Sequence, residues 1–138
     1  MDDSRLTLEA LIKSCVGKNC NLGITEENFP PSGESAPLEC LSEFHFNREM
    51  TISKVAAEFE TSPLRVATLR EMLIYGIAHP EVGISHPLAA LGSSLEDSWG
   101  NPSIPILGRS HSTRYLYLAW HGMPSIFTSD YRFLAANK

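Results

Sequence analysis

The hydrophobic pattern of this chain changes period at Pro80. Upstream, apolar residues recur at helical spacing; downstream, short apolar runs alternate with turn residues, as in strands. Thr51 opens a helix that carries Ile52, Val55, Ala56 and Phe59 on one face. A second helix opens at Thr68, turns Leu69, Met72, Leu73 and Ile77 inward, and ends over residues 76–79, before the proline. The runs at 86–93, 103–108, 112–120 and 131–136 read as strands, residues 114–120 most clearly because they are rich in aromatics. Residues 97–102 are dense in turn formers, and 43–46 is a short alternating strand ahead of the helices. Two helices followed by strands predict an α+β domain with a mostly antiparallel sheet over residues 43–138.

Ahead of that unit lies a helical arm. Residues 4–16 place Leu8, Leu11, Ile12, Cys15 and Val16 on one helical stripe. Asp2, Asp3 and Ser4 suit its positive N-terminal end, and Gly17 can close it with a left-handed backbone. The stripe is expected to pack on the protein's own core; docking to a partner is the sharper alternative. Residues 17–42 read as a connector, within which NFPPSGESAP (28–37) concentrates Pro, Gly and Ser without periodicity. The chain therefore divides into 1–42, arm and connector, and 43–138, the globular domain.

Residues 51–73 also match a helix-turn-helix template. Val55, Ala56 and Phe59 take the buried positions of its first helix, and Val66 and Leu69 those of its second. Glu60 stands where the turn favours glycine, a mismatch that costs a residue with a Cβ about 1 kcal/mol. Arg65 and Arg70 are flanked by Glu58, Glu60 and Glu71, a poor surface for phosphate. Thr68-Leu69-Arg70-Glu71 is itself a capping box, which starts a helix in the middle of the required recognition helix. Residues 64–67 are then expected to be extended. A DNA-binding regulator using 51–73 stands as the alternative function.

Charge points the same way. The formal net charge is −5, whereas nucleic-acid binding calls for clustered bases. Four of those five surplus charges lie in residues 1–42, where Asp2, Asp3, Glu9, Glu26, Glu27, Glu34 and Glu39 face only Arg5, Lys13 and Lys18. Cys15, Cys20 and Cys40 are an odd set without a Cys-x2-Cys pair, so neither a disulfide framework nor a zinc site is indicated. A Cys15–Cys20 bridge is left open. The acidic start is unlike a secretory signal, and no run approaches ~18 apolar residues. A cytoplasmic location is the expectation.

Leu64-Arg65-Val66-Ala67-Thr68-Leu69-Arg70-Glu71-Met72-Leu73 resembles the R-L-P-T-x-x-E-L/W element of bacterial C-type-lectin-like domains. The closing Tyr131-Arg132-Phe133-Leu134 is similar to their last strand, and Ala90-Leu91-Gly92-Ser93-Ser94 and residues 114–120 fall where that fold has core strands. Residues 43–138 also look like small bacterial proteins that share an ATLxELL…ALGS…YRFLA layout. The resemblance implies a lectin-like layout and a binding scaffold, not an activity. It does not carry over calcium-dependent sugar binding. Asn101-Pro102 follows Gly100, and Trp120 precedes His121-Gly122, so the oxygen ligands of such a site are missing.

Other chemistry finds little support. His45, His79, His86, His111 and His121 lack ligand-pair spacing. Leu91-Gly92-Ser93-Ser94 lacks the nucleophile-elbow frame, and no phosphate-cradling glycine loop occurs. Residues 81–138 hold only Glu81, Glu96, Asp97 and Asp130 for paired-carboxylate work. The expectation is a chain without enzymatic activity, cofactor or metal. Trp99, Arg114, Tyr115, Tyr117, Trp120, His121 and Tyr131 gather the residue types enriched at interface hot spots. They form the candidate surface for a protein partner or for self-association, with the chain acting as an accessory module.

Overall fold

The structure is a computed structural model, and it describes residues 7–20, 23–29, 36–96, 102–110, 113–120 and 126–137. Helix α1 (Leu8–Val16) is capped by the Thr7 hydroxyl, which accepts from Ala10 N at 3.0 Å. The start at Leu8 is four residues later than the periodicity suggests, and Asp2, Asp3 and Ser4 lie outside the described residues. Gly17 ends the helix at φ 66°, its N–H on Lys13 O at 3.0 Å. After a 3-10 turn (Leu38–Cys40) come β1 (Leu41–Phe44) and β2 (Met50–Thr51). Next are α2 (Ile52–Glu60), β3 (Leu64–Val66) and α3 (Leu69–Ala78). The second half supplies β4 (Leu88–Ala89), β5 (Leu95–Glu96), β6 (Pro102–Ser110), β7 (Thr113–Trp120), β8 (Ile126–Phe127) and β9 (Arg132–Asn137).

The α+β class holds, and the sheet is antiparallel except where β4 runs parallel to β9. β9 lies between β1 on one side and β3 and β4, end to end, on the other. β4 leads to β6, which also carries β5, and β7 lies along the far side of β6. The two edges are therefore β1 and β7. β7 is partly covered by residues 19–20, since Leu116 N donates to Asn19 O at 2.9 Å. Among the described residues nothing pairs with the outer side of β1.

Strand alternation assigns each side chain to one of two cores. Leu41, Leu88, Leu107, Leu116, Leu134 and Ala136 face α1 and α3. Ala89, Ile104, Ile106, Phe133 and Ala135 face α2 and the β2–β8 ribbon. The arm is thus built into the first core: Leu8, Leu11, Ile12, Cys15 and Val16 are buried there with α3. The core runs across residue 42, and even the connector buries Ile24 and Phe29 in it. No described helix is long and apolar enough to cross a membrane.

Some expectations shift. The strand placed at 43–46 forms at 41–44, because Leu41 is the buried residue that registers with Ala136 of β9. The run 86–93 contributes only two strand residues. On α2, Val55 and Phe59 are buried but Ala56 is exposed. On α3 the stripe is Leu69, Met72, Leu73 and Gly76, and Ile77 is 38% exposed. Gly76 takes the inward place because α1 crosses there: an added Cβ would lie 2.9 Å from Cys15 Sγ.

Residues 63–73 are not one helix. Ser62 Oγ accepts from Leu64 N, β3 pairs with β9, and only at Thr68 does a helix begin. Thr68 and Glu71 form the capping box reciprocally. The second helix of the DNA-reading template is consequently replaced by a strand, a cap and a shorter helix.

Candidate functional site

β1 carries two different surfaces, set by its alternation. Phe44 points to the α2 side, where its ring meets Phe46 at 4.8 Å and Phe59 at 5.4 Å between centroids. Edge-to-face contacts continue inward through Phe133 to Phe127 and Tyr131. Phe44 itself remains 39% exposed, as does Leu38 just before β1. With Ile77 they are the exposed large hydrophobics among the described residues.

Glu43 points to the α3 side and into a polar cleft of about 320 Å³. Its other walls are Glu81, Val82, Gly83, Ser85 and His86, from the loop after α3, and Arg132 at the start of β9. Pairing explains the convergence: β1 lies against β9, while Arg132 N donates to Pro87 O at 2.9 Å and so draws the loop alongside. Gly83, at φ 88°, lets the loop approach closely, since a Cβ there would be 2.8 Å from Leu107 O.

The electrostatics of the cleft are set by Tyr75 on α3. Its hydroxyl donates to Glu43 Oε2 at 3.0 Å. Burial first, then the Glu43 bond and the charges of Glu43 and Glu81, push its pKa up to about 12 against a partial offset from Arg132. Tyr75 is thus a protonated donor at neutral pH, and its ring packs on His79 at 4.5 Å. Arg132 Nε and His86 Nδ1 are buried without a hydrogen-bond partner among the described residues. Among the described residues no Glu43 or Glu81 carboxylate is ion-paired with Arg132, and no group of three metal-ligating side chains occurs.

The surface expected from the sequence is divided by the sheet. Arg114 lies on the α1/α3 side, where its guanidinium donates to Cys15 O at 2.9 Å, His79 O at 3.1 Å, Pro80 O at 3.2 Å and Val82 O at 3.4 Å. It binds the C-terminal ends of α1 and α3 together, where a positive charge complements both helix dipoles. Tyr115 and Tyr117 alternate to the opposite side, both half-buried. Tyr117 covers Gly108, with ring atoms 2.9 Å from where a Cβ would stand, and shares a hydrogen bond with Tyr131. Burial and that bond raise its pKa. Tyr131 in turn packs on Phe127, 5.1 Å between centroids. Trp120 ends β7, and Trp99 and His121 lie outside the described residues. Among the described residues of the expected set, Tyr117 and Tyr131 are brought together by a bond, and Arg114 is turned to the far side as a structural tie.

Arg114→Ala is accordingly expected to destabilise the domain by about 2–3 kcal/mol, because four backbone carbonyls lose a charged donor. Chemical denaturation checks this, and Arg114→Lys should recover only part, having no planar fork.

The cleft has no contiguous signature along the chain, because Glu43, Glu81, His86 and Arg132 come from separate stretches of it. The available signal was Glu43: alternation from Leu41 puts an acid on an apolar face, where it needs a donor such as Tyr75. No family model, curated protein or solved structure matches the chain.

Proposed function

We propose that this chain is a non-enzymatic accessory module that binds a protein partner along the open edge of β1. The observation that carries the reading is that Leu38 and Phe44, each 39% exposed, bracket a terminal strand whose outer side is unpaired among the described residues. An open strand edge with flanking apolar side chains is the surface on which strand addition takes place. The resemblance of 43–138 to lectin-like binding scaffolds supports the same reading. So does the chemistry of the cleft, where the perturbed group, Tyr75, is held away from titration near neutral pH. The partner is a separate protein or a second copy of the chain. The odd set of cysteines, Cys15, Cys20 and Cys40, without a Cys-x2-Cys pair, supports a cytoplasmic setting.

The test is the pair Leu38→Ser and Phe44→Ser. Each side chain is only partly exposed, so Leu38→Ser is expected to cost about 1 kcal/mol. Phe44→Ser, which gives up its ring contacts with Phe46 and Phe59, is expected to cost about 1–2 kcal/mol. Circular dichroism and thermal melting check that both stay folded. Affinity capture with mass spectrometry, and sedimentation over a range of concentrations, should show a bound protein or a dimer that both substitutions weaken. Capture and sedimentation identical for wild type and the double variant would refute β1 as the docking edge.

A further inference from the structure

We propose that the cleft between β1, the loop after α3 and β9 binds a small zwitterion of the amino-acid type, its carboxylate on Arg132 and its ammonium between Glu43 and Glu81. At about 320 Å³ the cleft is at the lower end of small-molecule sites, which run from about 300 to 1,000 Å³. That size admits a free amino acid rather than a folded partner.

The charge pattern argues for a ligand bearing both signs. Glu43, Glu81 and Arg132 line one cleft, yet among the described residues none of them closes an ion pair with another. Opposite charges free to meet across so small a space would do so. Here the framework holds them apart. Tyr75 fastens Glu43 through a 3.0 Å hydrogen bond, and Arg132 and Glu43 are fixed on neighbouring strands. Glu81 comes from a loop held close to β6 through Gly83.

Two further groups point to a missing polar partner. Arg132 Nε and His86 Nδ1 are buried and have no hydrogen-bond partner among the described residues. Buried polar atoms in native proteins are nearly always satisfied by protein, water or ligand. A carboxylate seated on the guanidinium is the acceptor that Arg132 lacks. An anion alone would face two carboxylates against one guanidinium, and a cation alone would meet Arg132. A zwitterion answers both.

The experiment is titration of the full chain, followed by amide NMR, with glycine, L-leucine, L-glutamate and L-lysine. Each is paired with its amide, which removes the carboxylate, and its N-acetyl derivative, which removes the ammonium. The expected result is saturable movement of the Glu43, Tyr75, Gly83 and Arg132 resonances with at least one free amino acid. Its amide and its acetyl derivative should bind at least about tenfold more weakly, a difference of about 1.4 kcal/mol. Glu81→Gln, at an exposed side chain, should weaken the free amino acid while the melting temperature stays put. Arg132→Gln should abolish the distinction between acid and amide. The proposal is overturned if no free amino acid moves these resonances, or if the derivatives and the Glu81→Gln protein bind as well as the parent pair.

Discussion

Glu71→Ala is expected to destabilise the domain by about 3–5 kcal/mol, the range for removing one member of a buried ion pair. Glu71 is only 1% exposed, and its carboxylate is surrounded by donors. Arg65 reaches it through two nitrogens, at 2.8 and 2.7 Å, while Thr68 N donates at 2.9 Å and Ala36 N at 2.7 Å. Alanine would deprive Thr68 N and Ala36 N of their acceptor and Arg65 of its carboxylate partner beneath α3. Replacing Arg65 as well should recover only part of the loss, because the Thr68 and Ala36 donors remain. Equilibrium denaturation of the single and double variants measures both quantities. A single-variant loss under about 1 kcal/mol, the scale of an exposed pair, would contradict the assignment.

The same carboxylate gives a pH signature. Burial raises the Glu71 pKa, but the Arg65 bonds and the Thr68 and Ala36 N–H groups more than offset this and hold it below the usual value of 4.5. Its folded-state pKa is depressed, so the unfolded chain binds the proton more readily. The stabilisation is therefore fully present above about pH 4.5 and is lost as pH falls through the lower folded value. In Glu71→Gln the acid limb of the stability curve should be flatter than in the wild type.

Gly92→Val is expected to cost about 3 kcal/mol or more, at or beyond the upper end for forced overpacking. A Cβ at Gly92 would stand 2.5 Å from Ala67 O and 2.8 Å from Ala67 C, and these are backbone atoms that cannot swing aside. Gly92 N also donates to Ala67 O at 2.8 Å. Next to it, Ser93 Oγ accepts from Leu69 N at 2.8 Å and so serves the N-terminal end of α3. The Ala90-Leu91-Gly92-Ser93 stretch is thus the dock for the strand-to-helix junction at Ala67–Thr68. Ser93→Ala should cost about 1 kcal/mol, a normal capping loss. A Gly92→Val protein that melts with the wild type would disprove the close approach.

Much of the local structure was legible. Thr51, Thr68 and Glu71 mark helix starts because capping is settled within three or four residues of chain. The break at 64–67 follows from the same box, and it dismantles the helix-turn-helix pattern without reference to any distant residue. Strand β7 and its alternation are readable for a similar reason, since period-two patterning needs no partner to be seen. Which face Arg114 takes was not legible. Arginine reads as a surface residue, and only the converging ends of α1 and α3 supply the four carbonyls that draw it inward.

By itself, then, the sequence determined the starts of α2 and α3, the extended link before α3, strands β6, β7 and β9, and the α+β class. The helix starts and the link rest on interactions between residues near one another in the chain, and the strands on a period-two pattern that is visible without their partners. The tertiary structure alone decided that the arm belongs to the core, that the outer side of β1 is unpaired among the described residues, and that Glu43, Glu81, His86 and Arg132 share a cleft. Those outcomes depend on β9 pairing with β1, β3 and β4 from distant parts of the chain. Long-range pairing is set by the fit of whole faces, and no short stretch of sequence records it.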